Sequence, residues 1–385
     1  MSGGNPLMAA KLAVFACAIM LGAGVTAVAS GQDGPVFETG IAAANIAWAK
    51  SKAAETTLID IAAAGFDSVR IGLKNPVTAS YRALEQAKDA GLDVLVTIPL
   101  IDGAVAVDGA SPRPRTENFF AAYGLSQIDL DRYRLRLEDL LAFVDFHQIP
   151  LIGLELGNEL NWSGYNGDLP LLTRGAIIAT DGDWHAADRT RFEAGLDRYR
   201  AVIDITREVL ARYPNMTGVK LVSAGLADIN SGFIRGRGAT YVAPDLVYRA
   251  FEARQILRQV DVVGIHLYEP LRMANALSAR AVMIDAQLDD CGSTGFAARP
   301  CWITEFGAAL PQQDCAPDDA RRISLMQPLL KYLAVPANAA RVPLGFYYDW
   351  NDDAGFALVR CGRPTELTKI LPRDNDGTDN NLGTP

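Results

Sequence analysis

The stretch Leu151–Trp162, with the sequence LIGLELGNELNW, decides the fold. It begins as an apolar run that is typical of a buried strand, and it ends with an amide and a carboxylate side by side, Asn158 and Glu159. A second stretch, Arg299–Gly307 with the sequence RPCWITEFG, is also an apolar strand that ends in a glutamate, Glu305. Because burying a carboxylate is costly, a glutamate at the end of each strand indicates a chemical role.

Around these stretches the chain alternates short apolar strands with amphipathic helices. The predicted strands are Phe37–Ala43, Phe66–Ile71, Leu92–Ile98, the strand that begins at Leu151, Val219–Ser223, Val260–His266, Arg299–Gly307 and Leu344–Trp350. The predicted helices are Ser51–Ala64, Ser80–Ala90, Leu130–His147, Arg191–Tyr213, Pro244–Arg258, Ala276–Leu288, Asp318–Leu333 and a short Pro364–Ile370. Strict alternation implies parallel strands with right-handed crossovers, and eight units predict a single-domain α/β fold, the (β/α)8 TIM barrel. An open doubly wound sheet is the alternative fold. Such a sheet would be expected to carry a glycine-rich phosphate-binding loop after an early strand, and this sequence has none there.

Polar and aromatic residues stand at or just after the ends of five predicted strands. They are Arg70, Asn158, Glu159, His266, Tyr268, Glu305 and Trp350. Each has a structural alternative, such as an ion pair for Arg70, a core position for His266 or Trp350, and a helix cap for Glu305. In a barrel, however, all strands deliver their carboxyl ends to one rim, where active sites lie. Their shared position therefore favours a site.

The chain here resembles a known group, the retaining glycoside hydrolases of clan A, such as family 5. The motifs are VRI at 69–71, GNE at 157–159, HLY at 266–268, ITEFG at 303–307 and YDW at 348–350. The resemblance implies cleavage of β-glycosidic bonds in a poly- or oligosaccharide by a two-glutamate double displacement, without a metal or cofactor. Family 5 members usually carry a histidine near the end of the third strand, where this chain reads VTIPL at 96–100. A relative such as family 39 therefore stays open.

The resemblance also implies catalytic roles. Glu159 is expected as the general acid/base and Glu305 as the nucleophile that forms a glycosyl-enzyme intermediate. Asn158 would bind the sugar 2-hydroxyl, while Arg70 and Tyr268 would hold Glu305 ionised. An arginine beside a carboxyl group lowers its pKa, which supports this division of roles.

Further residues are expected to line the cleft. His266 would line the site, and Trp350 would form the platform beneath the reactive sugar. Aromatic faces stack on the C–H surfaces of sugars, so the loop residues Trp162, Tyr165 and Trp184 are candidate subsite walls, with plain loop packing as the alternative. Glu155 reads as a structural carboxylate that is paired within the barrel.

The composition and the N-terminal sequence indicate which partners and which location to expect. The formal net charge is −9, without a Lys/Arg cluster, so neither nucleic acid nor an anionic membrane is an expected partner, and we expect a monomer. Residues 1–29 read as a signal peptide, with an apolar run at Leu12–Ala29 and a small-residue cleavage site at its end. We therefore expect export, periplasmic or secreted, with a retained membrane anchor as the alternative. Residues 35–373 would form the catalytic domain, and 374–385 a polar tail.

Four cysteines remain after the signal segment. We prefer the disulfides Cys291–Cys301 and Cys315–Cys361 because they join neighbouring loops, although three pairings are possible. Their spacing fits no zinc pattern, so no metal site is predicted.

One alternative function of another class stays open, a catalytically silent barrel that binds polysaccharide in the cell envelope. The separation of the two carboxyl groups discriminates between a hydrolase and a binding protein, because a wide gap or a filled cleft would favour the binding protein. A phosphate-handling isomerase would need a glycine loop after the seventh or eighth strand, and none is present.

Overall fold

Eight parallel strands form one sheet that closes into a barrel. The computed structural model describes residues 34–268, 277–309, 319–351 and 355–372. We number the barrel strands β1 Glu38–Ala42, β2 Ser68–Gly72, β3 Asp93–Ile98, β4 Leu151–Leu156, β5 Lys220–Ser223, β6 Val263–Leu267, β7 Cys301–Phe306 and β8 Leu344–Tyr347. They are hydrogen-bonded in the order β5-β4-β3-β2-β1-β8-β7-β6, and parallel bridges Val222–Val262 and Leu226–Ile265 join the two end strands. The predicted single-domain (β/α)8 barrel is confirmed.

Helices connect the strands close to the predicted positions. The helices are Ser51–Ala63, Val77–Asp89, Leu130–His147, Ala186–Leu210, Ser231–Arg237, Pro244–Ala253, Ile256–Gln259, Leu277–Leu288, Ala320–Leu333, Pro336–Arg341 and Glu366–Ile370. Short 3₁₀ turns lie at Ile46–Trp48, Leu125–Gln127, Asp181–Asp183, Pro214–Met216 and Thr294–Phe296. The predicted helix Pro244–Arg258 is divided in two because Gln255 adopts a left-handed conformation with φ of 57°.

The sequence analysis missed a small layer built from the loops after β4 and β5. Strands Ala176–Ile178 and Thr240–Val242 pair in parallel there, next to the helix Ser231–Arg237. Another short pair, Val359–Arg360 with Arg363–Pro364, follows β8. Strands of two or three residues are too short to show a period in sequence. A separate apolar cluster holds the first layer together, made of Phe119, Trp162, Ala227, Ile234, Ala239 and Tyr241.

Side-chain alternation along the strands separates two cores. Outward residues pack against the helices, whereas a smaller cluster fills the barrel interior, made of Ala42, Leu95, Val222, Val262, Trp302, Leu344 and Phe346. On β2 the apolar Val69 and Ile71 flank Arg70, which therefore faces the interior. The same alternation on β4 turns Glu155 inward between Leu154 and Leu156. Two charged side chains are thus carried into the barrel itself.

One of the two predicted disulfides lies within the described residues. Cys291 is bonded to Cys301, with a Cα–Cα distance of 5.4 Å, which confirms that pair. The pair Cys315–Cys361 lies outside the described residues because Cys315 does, and so do the predicted signal peptide 1–29 and the tail 374–385. Within the described residues, no helix combines the length and the apolar character that a membrane span requires.

Candidate active site

The turn after β4 presents Glu159 in a constrained backbone conformation. Gly157 has φ of 87°, and a Cβ there would press on the side chain of Leu160. Glu159 itself has φ of 48°, a conformation that costs a non-glycine residue about 1–2 kcal/mol. The N–H of Glu159 donates to the Gly225 carbonyl at 2.8 Å, and this bond ties the turn to the end of β5. Strained residues that the surrounding structure holds in place cluster at functional sites.

Glu305 is surrounded by donors and positive charge. Its Oε1 accepts from Arg70 Nη1 at 2.6 Å, and its Oε2 accepts from the Tyr268 hydroxyl at 2.9 Å. Burial raises the pKa of Glu305, but the charges of His266 and Arg70 and the two hydrogen bonds outweigh it and hold that pKa below its ordinary value. Burial and the charge of Glu305 keep the pKa of Tyr268 well above its ordinary value, so its hydroxyl remains a donor. The environment therefore favours an ionised Glu305.

Arg70 connects three acceptors, which lie on β4, in the turn after β4 and on β7. Besides Glu305, its Nε donates to Glu155 Oε2 at 2.6 Å, and its Nη2 donates to Asn158 Oδ1 at 2.6 Å. Glu155 is fully buried, and Thr97 Oγ1 and the Gly225 N–H also donate to it, at 2.6 and 3.2 Å. Glu155 is thus paired within the barrel, as the sequence analysis expected. The planar guanidinium fixes the two glutamate-bearing strands relative to each other.

Glu159 has a different set of partners. Trp162 Nε1 donates to its Oε2 at 2.8 Å, and His266 Nδ1 lies 3.0 Å from its Oε1. The same Nδ1 is 3.7 Å from Glu305 Oε2, so the imidazole stands between the two carboxylates. Burial lowers the pKa of His266, but the two carboxylates raise it above its ordinary value. A Cβ at Gly225 would overlap this imidazole and the Thr304 hydroxyl, so a glycine is required beside the ring.

The two glutamates and His266 lie close together. One oxygen or nitrogen from each of Glu159, His266 and Glu305 lies within 4.8 Å of the others. Such a group can in principle hold a metal ion. Each of the four carboxylate oxygens, however, already contacts a named nitrogen or hydroxyl, and the Arg70 guanidinium bonds Glu305 directly. A metal would have to displace these groups beside a fixed positive charge, so the donor set fits proton transfer better than metal ligation.

A cavity of about 890 Å³ opens over the two glutamates. Its polar floor includes Arg70, Asn158 and Tyr268. Aromatic residues form much of the wall, namely Trp48, Phe120, Tyr123, Trp162, Tyr165, Phe233, Tyr348 and Phe356. Concave sites of this size with convergent polar groups are typical of small-molecule and oligosaccharide binding.

The structure brings most of the expected residues together. Those that meet at the rim of the barrel are Arg70, Asn158, Glu159, Trp162, His266, Tyr268 and Glu305. Trp162 and Tyr165 lie against the cavity, whereas Trp184 packs on Phe192 and does not line it.

The expected platform Trp350 must be corrected. It is 3% exposed, packs edge-on against Phe66 with ring centroids 6.0 Å apart, and does not line the cavity. The strand β8 ends at Tyr347, so its alternation does not extend to residue 350. Tyr348 lies in the cavity wall instead. Sequence reasoning missed Tyr348, although it belongs to the same YDW motif.

Solved structures show what this chain is similar to. A scan against models of protein families gave no match, and neither did a search of curated proteins. A GH5-4 broad specificity endoglucanase from an uncultured bacterium matches with a TM-score of 0.52 and 11% identity, over 88% of this chain and 91% of that chain. The exo-beta-1,4-mannosidase Op5Man5 from Opitutaceae bacterium strain TAV5 matches with a TM-score of 0.51 and 14% identity, over 88% of this chain and 58% of that chain. The chain therefore shares its barrel fold with these two enzymes.

Proposed function

We propose that this protein is a retaining glycoside hydrolase that cleaves β-glycosidic bonds in a poly- or oligosaccharide. The observation that carries the proposal is the convergence of Glu159 and Glu305 in one cavity, with carboxylate oxygens within 4.8 Å and with different partners. Retaining enzymes hold the two carboxyl groups about 5–5.5 Å apart, whereas inverting enzymes need about 6.5–9.5 Å for a water. One imidazole nitrogen, His266 Nδ1, lies 3.0 Å from Glu159 and 3.7 Å from Glu305, which fits the narrow spacing of the retaining class. The fold it shares with an endoglucanase and a mannosidase supports the reaction class.

In the first step Glu305 attacks the anomeric carbon. Arg70 and Tyr268 hold its carboxylate ionised and orient it, and a covalent glycosyl-enzyme ester forms. Glu159 gives its proton to the departing glycosidic oxygen as the C–O bond breaks. Asn158, held by Arg70, is placed to bind the hydroxyl next to the anomeric carbon.

In the second step Glu159 takes a proton from a water molecule. The water attacks the anomeric carbon, the ester bond breaks, and Glu305 leaves as a carboxylate. His266 and Trp162 contact the two oxygens of Glu159 and keep the carboxyl group in place for both proton transfers.

Mechanism-based labelling tests this proposal. We expect 2-deoxy-2-fluoro β-glucosides and β-mannosides with a dinitrophenolate leaving group to inactivate the enzyme, with the label on Glu305 in peptide mass spectra. NMR of early products from β-glucans and β-mannans should show retained anomeric configuration. Labelling of another residue or inverted products would contradict the mechanism. Glycan binding without turnover or labelling would favour the silent polysaccharide-binding barrel.

We further propose export, with removal of residues 1–29. The Cys291–Cys301 disulfide supports an oxidising compartment. Expression of the full chain in a bacterial host with a periplasm should yield a mature protein whose intact mass equals that of a chain beginning at Ser30. A full-length mass in the membrane fraction would instead indicate a retained anchor.

A further inference from the structure

The cavity wall beside Glu159 contains a phenol whose hydroxyl has no role in the steps described so far. Tyr165 lies in the loop after β4, as Glu159 does, and lines the cavity. The carboxylates that also line it belong to Asp102, Glu159, Asp228 and Glu305. Within the described part of the chain, neither these nor any other group bonds the Tyr165 hydroxyl, and the cavity reaches its oxygen. Such a hydroxyl is available to a ligand.

Neighbouring residues hold the ring of Tyr165 in place. Its centroid lies 5.3 Å from that of Phe120, in an edge-on contact, and 6.0 Å from that of Trp162. The backbone N–H of Tyr165 donates to the Trp162 carbonyl at 3.1 Å. Ring and backbone are therefore both tied to the residue whose indole bonds Glu159. Because the ring is fixed, the hydroxyl oxygen also has a fixed position in the wall.

Charged groups of the site act on this hydroxyl. Burial raises the pKa of Tyr165, the charges of Glu159 and Glu305 raise it further, and the charge of Arg70 opposes them. The hydroxyl therefore keeps its proton at neutral pH and serves as a hydrogen-bond donor. The effect of all three charged groups also indicates that the phenol stands close to the point of cleavage.

The position of Tyr165 assigns it to one side of the cleaved bond. In the proposed mechanism the leaving oxygen departs away from the nucleophile and receives its proton from Glu159. Tyr165 packs on Trp162, the hydrogen-bond partner of Glu159, whereas Tyr268 bonds the opposite carboxylate, Glu305. The phenol therefore lies on the side where the leaving group is released.

The wall around this hydroxyl suits a sugar. Phe120, which packs on the Tyr165 ring, is 46% exposed and presents an apolar surface to the cavity. A sugar residue offers an apolar C–H surface together with hydroxyl oxygens that accept hydrogen bonds. We propose that the Tyr165 hydroxyl donates a hydrogen bond to the sugar residue on the leaving side of the cleaved bond. The enzyme then selects substrates whose leaving group is itself a sugar. This inference rests on the proposed function.

Reactivation of the trapped glycosyl-enzyme tests this role. The enzyme is labelled with the dinitrophenyl 2-deoxy-2-fluoro β-glucoside or β-mannoside and freed of reagent. Return of activity is then followed in buffer alone and with cellobiose, mannobiose or xylobiose. The disaccharide takes the leaving side, its hydroxyl attacks the anomeric carbon and gives its proton to Glu159, and the ester bond to Glu305 breaks. We expect at least one disaccharide to accelerate reactivation of the unmodified sequence.

Removing one oxygen atom separates the hydroxyl from the ring. In Tyr165→Phe the reactivation rate with the disaccharide should fall by about 2- to 10-fold, the value of one net hydrogen bond. Reactivation by water and the labelling step, which releases dinitrophenolate, should change little, because neither places a sugar on the leaving side. Tyr81→Phe is the matched control, since the Tyr81 hydroxyl bonds Asp139 and does not line the cavity; it should leave all three rates unchanged.

The outcomes distinguish this role from the hydrolase proposal. Three results would overturn the role of Tyr165: no loss in Tyr165→Phe, equal losses with water and with the disaccharide, or no acceleration by any disaccharide in the unmodified sequence. Labelling of Glu305 would still support the hydrolase in each of these cases. Failure of the fluoro-sugars to label the unmodified sequence would instead overturn the hydrolase proposal, and the role of Tyr165 with it.

Discussion

The site contains two glutamates, Glu159 and Glu305, whose side chains are identical but whose surroundings differ. Glu305 receives hydrogen bonds from a cationic arginine and a phenol, Arg70 and Tyr268. Glu159 receives one from an indole and contacts the imidazole of His266, which it shares with Glu305. A carboxylate beside a fixed cation suits the role of a nucleophile. A carboxylate that accepts a hydrogen bond from an indole and contacts a shared imidazole suits the role of a group that must gain and lose a proton. Environment, more than residue type, supports the division of roles that we propose.

The largest expected effect comes from removing the proposed nucleophile. Glu305→Gln keeps the shape but removes the attacking carboxylate, so turnover of a dinitrophenyl β-glycoside should fall at least about 10⁴-fold, as for nucleophile loss in other covalent enzymes. Steady-state kinetics measure it, with circular dichroism to verify folding. Near-normal turnover would show that Glu305 is not the nucleophile.

Removing the proposed proton donor should have a smaller and substrate-dependent effect. Glu159→Ala should slow glycosides with poor leaving groups by about 10²–10⁴-fold, the usual contribution of general acid–base catalysis. Dinitrophenyl glycosides need no acid for their first step and should then be limited by breakdown of the intermediate. Azide, which needs no base, should restore turnover and give a glycosyl azide of retained configuration. Absence of that product would remove the acid/base role from Glu159.

Removing one of the two carboxylate partners of Arg70 tests whether the charge of Arg70 sets the pKa of Glu305. In Glu155→Gln the guanidinium loses one of its two carboxylate partners and its charge acts more fully on Glu305. The pKa of Glu305, already lowered, should fall further. The acidic limb of the kcat/KM profile reports deprotonation of the nucleophile, so it should shift to lower pH.

The rate of Glu155→Gln at neutral pH should fall roughly tenfold, within the range for partners in one network. Thr97→Val is the control, because it removes a neutral hydrogen bond to Glu155 and leaves the charge in place. An acidic limb that moves to higher pH, or moves equally in both variants, would contradict this charge coupling.

The smallest expected effect concerns the indole partner of Glu159. Trp162→Phe removes the 2.8 Å hydrogen bond to Oε2 and keeps most of the packing. The loss should be about 2- to 10-fold, the value of one net hydrogen bond, and larger for poor leaving groups than for dinitrophenolate. Trp184→Phe, outside the cavity, should change neither class of substrate. Equal losses for both leaving groups would point to packing instead of proton donation.

Much of the fold and site could be predicted because both depend on local patterns. Alternation of apolar and polar residues along each strand fixes which side chains point inward, and the strand end fixes which reach the rim. This is why the sequence predicts that Arg70 and Glu305, which lie within β2 and β7, meet at one end of the barrel, where the structure has them. The platform role that the resemblance implied for Trp350 is wrong, because the strand ends at Tyr347 and Tyr348, not Trp350, lines the cavity.

The sequence by itself determined the barrel, the two strand-end glutamates and the resemblance to clan A, since these follow from periodicity and short motifs. Tertiary structure decided which groups contact each glutamate. The position of His266 between Glu159 and Glu305 and the contact of Lys74 with Trp48 each join residues from different loops or strands. Such contacts depend on how the loops pack above the barrel, which no local pattern encodes. Loop packing therefore distinguishes the surroundings of the two glutamates.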